Sequence, residues 1–346
     1  MNRFDALVPP TSIFSGRPLE RRERAALAVL IGVAAGLAAA LAFLRVPEML
    51  ARDFTYPWWG ARALLDGQNP YEVIRPRGPA PYDMWFMYPL TAAMAVTPLA
   101  LLPAPVAGIL FTALGAAAFT YVITANGLGR AWVLLSPSFG LAVVLAQWTP
   151  LLVAAAFATP LAWALACKPT IGAALFAYRP RVRTAVIVAS FVALAFIVQP
   201  DWLAEWLRTA RTVGGHPAPA FRPLGALALL ALLRWRRPEA RLVAVLALVP
   251  QNLYFYDQLP LWLAARNGRQ ALLLTVTCWV AAVIVHAQCP VPGSCGAEGE
   301  RWVILLLYLP AAAIALLDRS SFERIRALVG SRRSPQVQAQ RPELQP

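Results

Sequence analysis

The most restrictive feature of this 346-residue sequence is a series of long apolar runs that carry almost no charge, such as Ala26–Leu44 and Ala271–Val285. A helix needs about 20 mainly apolar residues to cross a membrane, whereas the strands of a membrane barrel would give short, alternating segments. Charged residues make up only 14% of the chain, against about 25% in soluble domains. The sequence therefore predicts an all-α polytopic membrane protein and excludes a soluble enzyme, a disordered chain and a coiled coil.

Several of the apolar runs are interrupted by proline. Beyond the first run they occupy 89–124, 131–146, 151–178, 184–198, 223–233, 242–265, 271–287 and 302–317. Broken helices are tolerated in lipid where they line a cavity or pack against protein. We therefore predict about ten transmembrane helices, with broken and re-entrant pieces, in a membrane domain spanning 21–318.

The formal net charge of +14 is distributed unevenly. Arginines cluster in the tails 1–20 and 319–346, at Arg179–Arg183 and at Arg234–Arg241, whereas acids and arginines nearly balance in 46–88. Since basic residues are retained in the cytoplasm, we predict cytoplasmic tails, with disorder after Gly330, and a long first extracytoplasmic loop at 46–88. Membrane lipids, and not nucleic acid, are the partners that this pattern indicates.

The cell of origin is suggested by the choice of basic residue. Every cation except Lys168 is arginine, which is typical of GC-rich bacterial coding. We therefore expect a multi-pass protein of a bacterial inner membrane.

Asp53 is the first candidate for chemistry, because it follows the first apolar run and is flanked by aromatic residues. A partly desolvated carboxylate at the membrane edge could take a proton from a sugar hydroxyl as a general base. The alternative interpretation is a solvated loop acid or the partner of an arginine.

The residues around Asp53 resemble glycosyltransferase family 87, a polytopic family with the GT-C fold. The resemblance is carried by Asp53 in the first outer loop, the Gly67-Gln68-Asn69-Pro70-Tyr71 turn, Tyr88-Pro89, Gln147 and Lys168-Pro169. Two positions depart from the family pattern: Leu90 replaces a second proline, and Ala146 replaces a glycine before Gln147.

The resemblance implies a GT-C-like fold and the transfer of a sugar, most often mannose, with inversion. The donor would be a polyprenyl-phosphate sugar, the acceptor would be linked to a lipid or glycan, and the active site would be extracytoplasmic. Asp53 would be the general base. The absence of a Walker A or dinucleotide fingerprint agrees, because a lipid phosphate is already an activated leaving group.

Further side chains are candidates for the donor and for the sugar or acceptor. Lys168 would bind the donor phosphate, since charges within apolar runs are usually functional, or it would snorkel to the headgroups. The other donor candidates are Gln147, Arg62 and Arg222. The candidates for sugar or acceptor contact are Tyr56, Trp59, Tyr88 and Asp257, the last of which could instead make a helix-end hydrogen bond. Trp202 and Trp206 are expected on a helix in the headgroup layer.

The cysteines and acids leave two questions open. Cys289 and Cys295 share an outer loop, where an oxidising compartment favours a disulfide over two free thiols, while Cys167 and Cys278 are expected to pack in apolar runs. We expect no cofactor, but a divalent metal would be possible if Glu48, Asp53 and Asp83 converged.

Two other functions compete with the transferase hypothesis. A transporter or flippase of a lipid-linked sugar should have charges near mid-membrane and an internal repeat, and the sequence shows neither clearly. A non-catalytic scaffold of the same fold is the other alternative.

Overall fold

A computed structural model describes residues 18–46, 50–78, 85–214, 216–288 and 296–317, and in these residues the chain forms helices and no strand. The α-helices are Arg21–Leu44 (α1), Thr55–Leu65 (α2), Pro70–Val73 (α3), Leu90–Val96 (α4), Ala104–Ile123 (α5), Pro137–Val144 (α6), Thr149–Phe157 (α7), Pro169–Tyr178 (α8), Val182–Val198 (α9), Trp202–Val213 (α10), Pro238–Leu248 (α11), Gly268–Gln288 (α12), Gly296–Val303 (α13) and Leu309–Leu316 (α14). Tighter 3₁₀ segments connect them at Arg52–Phe54, Leu99–Leu101, Leu128–Leu135, Thr159–Ala166, Pro219–Phe221, Gly225–Arg234 and Phe255–Ala264, and a π-helical turn, Ile304–Tyr308, joins the last two α-helices.

Four helices in the described residues are long and apolar enough to cross a membrane: α1, α5, α12 and the continuous helix Gly299–Leu316. Two bent pairs raise the number to six if each is one span: α6 with α7, bent by 110°, and α9 with α10, bent by 94°. The prediction of a helical membrane protein with broken pieces is confirmed, at four to six candidate spans. The bends coincide with short breaks that the apolar pattern alone does not resolve, so several predicted runs are parts of re-entrant or broken elements.

Helix α1 packs along α5 through two small residues one helical turn apart. A Cβ at Gly32 would lie 2.8 Å from the Ala113 carbonyl oxygen, and one at Gly36 would lie 3.2 Å from the Ala113 Cβ. Small residues let helix backbones approach closely within a membrane. This contact fixes the end of α1, from which the chain leads to Asp53.

The predicted first outer loop is largely folded where the structure describes it. Its helices α2 and α3 pack against α4 and α10. They share a small apolar cluster, separate from the main core, that consists of Tyr71, Ile74, Phe86, Leu90, Ala93, Ala195 and Trp202. The 46–88 segment is therefore held against the membrane helices over much of its length.

Helix α10 carries the two tryptophans that were expected in the headgroup layer. Trp202 is buried in the small cluster, and the Trp206 indole nitrogen donates to the Met87 carbonyl oxygen over 2.9 Å. Trp202 is therefore held by the protein and Trp206 is half-buried, and the expectation that this helix lies in the headgroup layer stays a prediction. Asp201 precedes the helix but makes no side-chain cap.

Some predictions fall outside the described residues. The two tails up to residue 17 and from 318, and Cys289 with Cys295, are among them. Cys167 and Cys278 are buried as free thiols, which confirms that they are packing residues.

Candidate active site

Asp53 is held at the end of α1 by its two neighbours. The Arg52 guanidinium donates to the Ala42 carbonyl oxygen over 2.8 Å, at the last turn of α1. Phe54 is fully buried and stacks on Phe111 of α5 with ring centroids 4.7 Å apart. The carboxylate between them is therefore part of a fixed turn and not of a loose loop.

Gln147 reaches Asp53 from the break between α6 and α7. Its backbone N–H donates to the Ala142 carbonyl oxygen and that of Ala146 donates to Val143, which is a Schellman ending for α6. The Gln147 side-chain amide then donates to the Asp53 carboxylate. The aromatic contacts reinforce this arrangement, because Trp148 also packs on Phe111, at 4.9 Å.

Ala146 occupies the left-handed position of this turn, with φ +50°. A left-handed conformation costs an ordinary residue about 1–2 kcal/mol and glycine almost nothing. The family pattern has glycine here, so alanine at position 146 adopts this conformation at that cost in free energy.

We expect Ala146→Gly to change the free energy of unfolding by no more than about 1 kcal/mol, because relief of strain offsets the loss of a buried methyl group. Ala146→Val should cost about 3 kcal/mol, since a branched side chain is both strained and overpacked there. Unfolding of the purified protein in detergent would measure both. Equal stability of the glycine and valine variants would contradict the left-handed turn.

Lys168 forms a largely buried ion pair with Asp257 in the same site. The Lys168 Nζ lies 2.5 Å from the Asp257 Oδ1, with the two side chains 19% and 3% exposed. Thr149 donates to the same oxygen over 3.5 Å, and the ammonium lies 5.2 Å from the centre of the Tyr256 ring. Lys168 therefore points into the protein, and the snorkelling alternative is not what the structure has.

The two charged residues of the pair come from the start of a helix and from a buried 3₁₀ segment. Lys168 precedes Pro169, which starts α8, and its φ of −141° and ψ of 77° lie outside the helical region that residues before proline avoid. Asp257 lies in Phe255–Ala264, a segment in which every residue is buried. A helix-end hydrogen bond, the alternative for Asp257, is replaced by the ion pair.

Asp53 lies between candidate spans, and burial raises the pKa of its carboxyl from about 3.8 to about 6. Lys168 opposes this rise, Asp257 adds to it, and the hydrogen bond from Gln147 lowers it. A carboxyl with this pKa is mostly ionised at neutral pH yet more basic than a solvated aspartate. It is suited to accept a proton in a reaction.

Tyr88 is positioned near the two carboxylates by the turn that contains the Gly67–Tyr71 motif. Gly67, with φ +68°, ends α2, and Asn69 caps α3 by accepting from the Tyr71 N–H over 3.0 Å. The Tyr71 hydroxyl then donates to the Tyr88 carbonyl oxygen over 3.0 Å. Tyr88 lies close enough to Asp53 and Asp257 to interact with both electrostatically.

The remaining predicted residues are divided between the site and the scaffold. Tyr56 is close enough to Tyr88 to interact with it, whereas Trp59 packs against the small cluster and edge-on to Trp58. Arg62 donates to the Ala100 carbonyl oxygen over 3.4 Å. Arg222 is paired with Glu300 of α13 at 2.8 Å, and its assignment to the donor stays a prediction.

Sequence reasoning missed two members of the site. Thr149 and Tyr256 both contact the ion pair. Thr149 lies two residues after Gln147, and Tyr256 directly precedes Asp257. Their neighbours in the chain were the only available signal, because neither residue type is unusual in an apolar segment.

An apolar groove of about 510 Å³ is lined by residues that include chain neighbours of the site. Its walls come from α8, α9 and α10, and they include Pro89 and Pro169, the direct neighbours of Tyr88 and Lys168. The groove lining is almost entirely hydrocarbon and aromatic, with Phe176, Val188, Val192 and Trp202 among its residues. Such a lining suits an apolar chain, and Pro169 connects the groove to Lys168, which is not itself part of the lining.

A metal centre would need more ligands than the described part of the chain brings together. Within those residues no three histidine, cysteine, aspartate or glutamate side chains form a group that could hold an ion. Glu48 and Asp83, the proposed partners of Asp53, lie outside the described residues.

The site thus brings together Asp53, Gln147, Lys168, Asp257 and Tyr88 from distant parts of the sequence. No family model, no curated protein and no solved structure matches this chain. The resemblance to glycosyltransferase family 87 therefore rests on the short motifs.

Proposed function

We propose that this protein transfers a sugar from a polyprenyl-phosphate carrier to an acceptor at the outer face of a bacterial inner membrane. The observation that carries the proposal is the proximity of a basic carboxylate, Asp53, to the Lys168–Asp257 ion pair. An apolar groove lined by Pro89 and Pro169, the chain neighbours of Tyr88 and Lys168, supports it. The motif resemblance favours mannose as the sugar and a lipid- or glycan-linked acceptor.

Asp53 is the general base in this proposal. It takes the proton from an acceptor hydroxyl while the hydroxyl oxygen attacks the anomeric carbon from the face opposite the phosphate. The bond between that carbon and the phosphate oxygen breaks with inversion, and the bonding electrons leave with the phosphate. Gln147 holds the carboxylate by donating to it, which leaves its other oxygen lone pairs as acceptors for the proton.

Lys168 stabilises the charge that develops on the leaving phosphate. Asp257 holds the ammonium in place through their ion pair, and Tyr256 packs its ring beside it. An ammonium that is fixed before the reaction stabilises a developing charge without the cost of reorganisation. No acid is needed on this side, because a phosphate monoester leaves without protonation of the bridging oxygen.

The groove holds the first isoprene units of the carrier. Burial of each CH₂ group contributes about 0.8 kcal/mol, so a chain in the groove adds affinity while the phosphate sets the register. Ala173 and Ala189 line the groove with small, exposed side chains, so a larger side chain can fill it without disturbing the core.

We expect Ala189→Trp to weaken binding of a fluorescent polyprenyl-phosphate by about tenfold or more, since excluding two CH₂ groups costs about 1.6 kcal/mol and tenfold is about 1.4. Titration of the purified protein in lipid nanodiscs would measure this. The matched control is Ala193→Trp, one turn along α9, exposed but outside the groove lining. Unchanged binding in Ala189→Trp, or equal loss in both variants, would count against the groove as the donor site.

A further inference from the structure

The outward face of α10 carries exposed basic residues that have no part in the proposed reaction. The helix bends by 94° away from the candidate span α9, so it does not continue along that span. Its inward face is defined by buried Trp202 and Thr209 and by the Trp206 contact with Met87. The residues on its outward face are exposed and comprise Ala204, Leu207, Arg208, Arg211 and Thr212.

The outward face is cationic because the acid of the helix is turned inward. The Glu205 carboxylate accepts two hydrogen bonds from the Asn69 amide, at 2.9 and 3.1 Å, and a third from the Gln199 amide. Arg208 and Arg211, one turn apart, have no ion-pair partner among the residues that the structure describes. A pocket of about 510 Å³ lies among Ala204, Leu207, Arg208, Arg211 and Thr212.

We propose that this face of α10 binds the phosphate groups of anionic phospholipids in the leaflet on the side of the candidate site. The exposed Leu207 suits the boundary between headgroups and acyl chains, and arginine forms bidentate hydrogen bonds with phosphate. Leu207 lies beside the two arginines on one face, as expected of a helix that lies in the membrane plane. The tryptophans, which would usually provide such an anchor, are engaged by the protein.

Charge complementarity selects this occupant over a neutral lipid or an apolar protein surface. Each basic residue at an anionic membrane surface contributes about fivefold in affinity. Two adjacent guanidinium groups would therefore prefer phosphatidylglycerol to phosphatidylcholine by several-fold, whereas an uncharged helix face would not discriminate between them.

A fluorophore beside the two arginines would measure this preference directly. The full-length protein carries Ala204→Cys with Cys289→Ser and Cys295→Ser, is labelled with bimane and is reconstituted in phosphatidylcholine vesicles with 20% brominated phosphatidylglycerol or 20% brominated phosphatidylcholine. We expect the anionic lipid to quench several-fold more strongly. In Arg208→Gln/Arg211→Gln the two lipids should quench equally, and Arg208→Lys/Arg211→Lys should restore much of the difference.

Other results would overturn the proposal. If the two brominated lipids quenched equally in the labelled protein that keeps Arg208 and Arg211, the arginines would select no lipid. The same conclusion would follow if the anionic lipid still quenched more strongly in the glutamine variant. Loss of the preference in Arg181→Gln/Arg183→Gln, at the other end of α9, would show that it is a property of net charge. Competition by inorganic phosphate at constant ionic strength would assign the face to a soluble phosphate, and shielding from both lipids would assign it to a second copy of the chain.

Discussion

Replacement of Asp53 by asparagine is expected to lower the rate of sugar transfer by about 10²- to 10⁴-fold, the usual cost of losing a general base. Asparagine keeps the size of the side chain, and its carbonyl oxygen can still accept the Gln147 amide hydrogen bond. The variant should therefore fold and bind the donor as the wild type does. Initial rates and donor titrations on the same reconstituted sample would separate the two effects.

The matched control for this substitution is Asp66→Asn. Asp66 lies in the same 46–88 segment but is exposed at the end of α2, so its loss should leave the transfer rate almost unchanged. If Asp53→Asn transferred sugar at the wild-type rate, the base would be assigned to the wrong residue. If Asp66→Asn were equally inactive, the loss would reflect the charge of the segment.

Removal of either member of the Lys168–Asp257 pair is expected to destabilise the protein by about 3–5 kcal/mol, because it leaves an uncompensated charge in a buried site. Lys168→Met and Asp257→Asn should each show this loss in unfolding measurements. The double variant should regain most of it, since neither charge then remains. Its donor affinity should nevertheless fall by about tenfold or more, as a charge-assisted contact contributes about 1.5–3 kcal/mol.

The double variant makes the test of Lys168 independent of folding. If the double variant were stable and bound the donor as tightly as the wild type, the ion pair would have only a structural role. Additive destabilisation in the double variant would contradict the close pairing of the two charges.

Much of the site could be predicted because short motifs mark its backbone turns. Gly67 and Asn69 have the types that a left-handed helix end and a helix cap require, and the glycine expected before Gln147 corresponds to a left-handed Ala146. Lys168 was conspicuous as the one lysine in an apolar chain. These signals are local, and they were sufficient to choose Asp53, Gln147, Lys168 and Asp257 as candidates.

The partners of these residues could not be predicted, because they depend on contacts between distant segments. Nothing in the sequence pairs Lys168 with Asp257 or places Phe54 and Trp148 on the same ring of Phe111. The pairing of Arg222 could not be foreseen for the same reason, since Glu300 comes from α13. The expectation of about ten spans counted apolar runs one by one, whereas helices of 8 to 12 residues such as α6, α7 and α10 belong to bent pairs.

The central claim is tested most directly by following a radiolabelled sugar on polyprenyl phosphate in vesicles that contain the purified protein and lipid extract as acceptor. We expect the label to move from the carrier to a new product at a rate that is nearly constant above pH 7. Because the Asp53 pKa is raised to about 6 and the base must be ionised, the rate should fall about tenfold per pH unit below that value. Label that stays on the carrier while the carrier crosses the bilayer would contradict the transferase and establish a flippase instead.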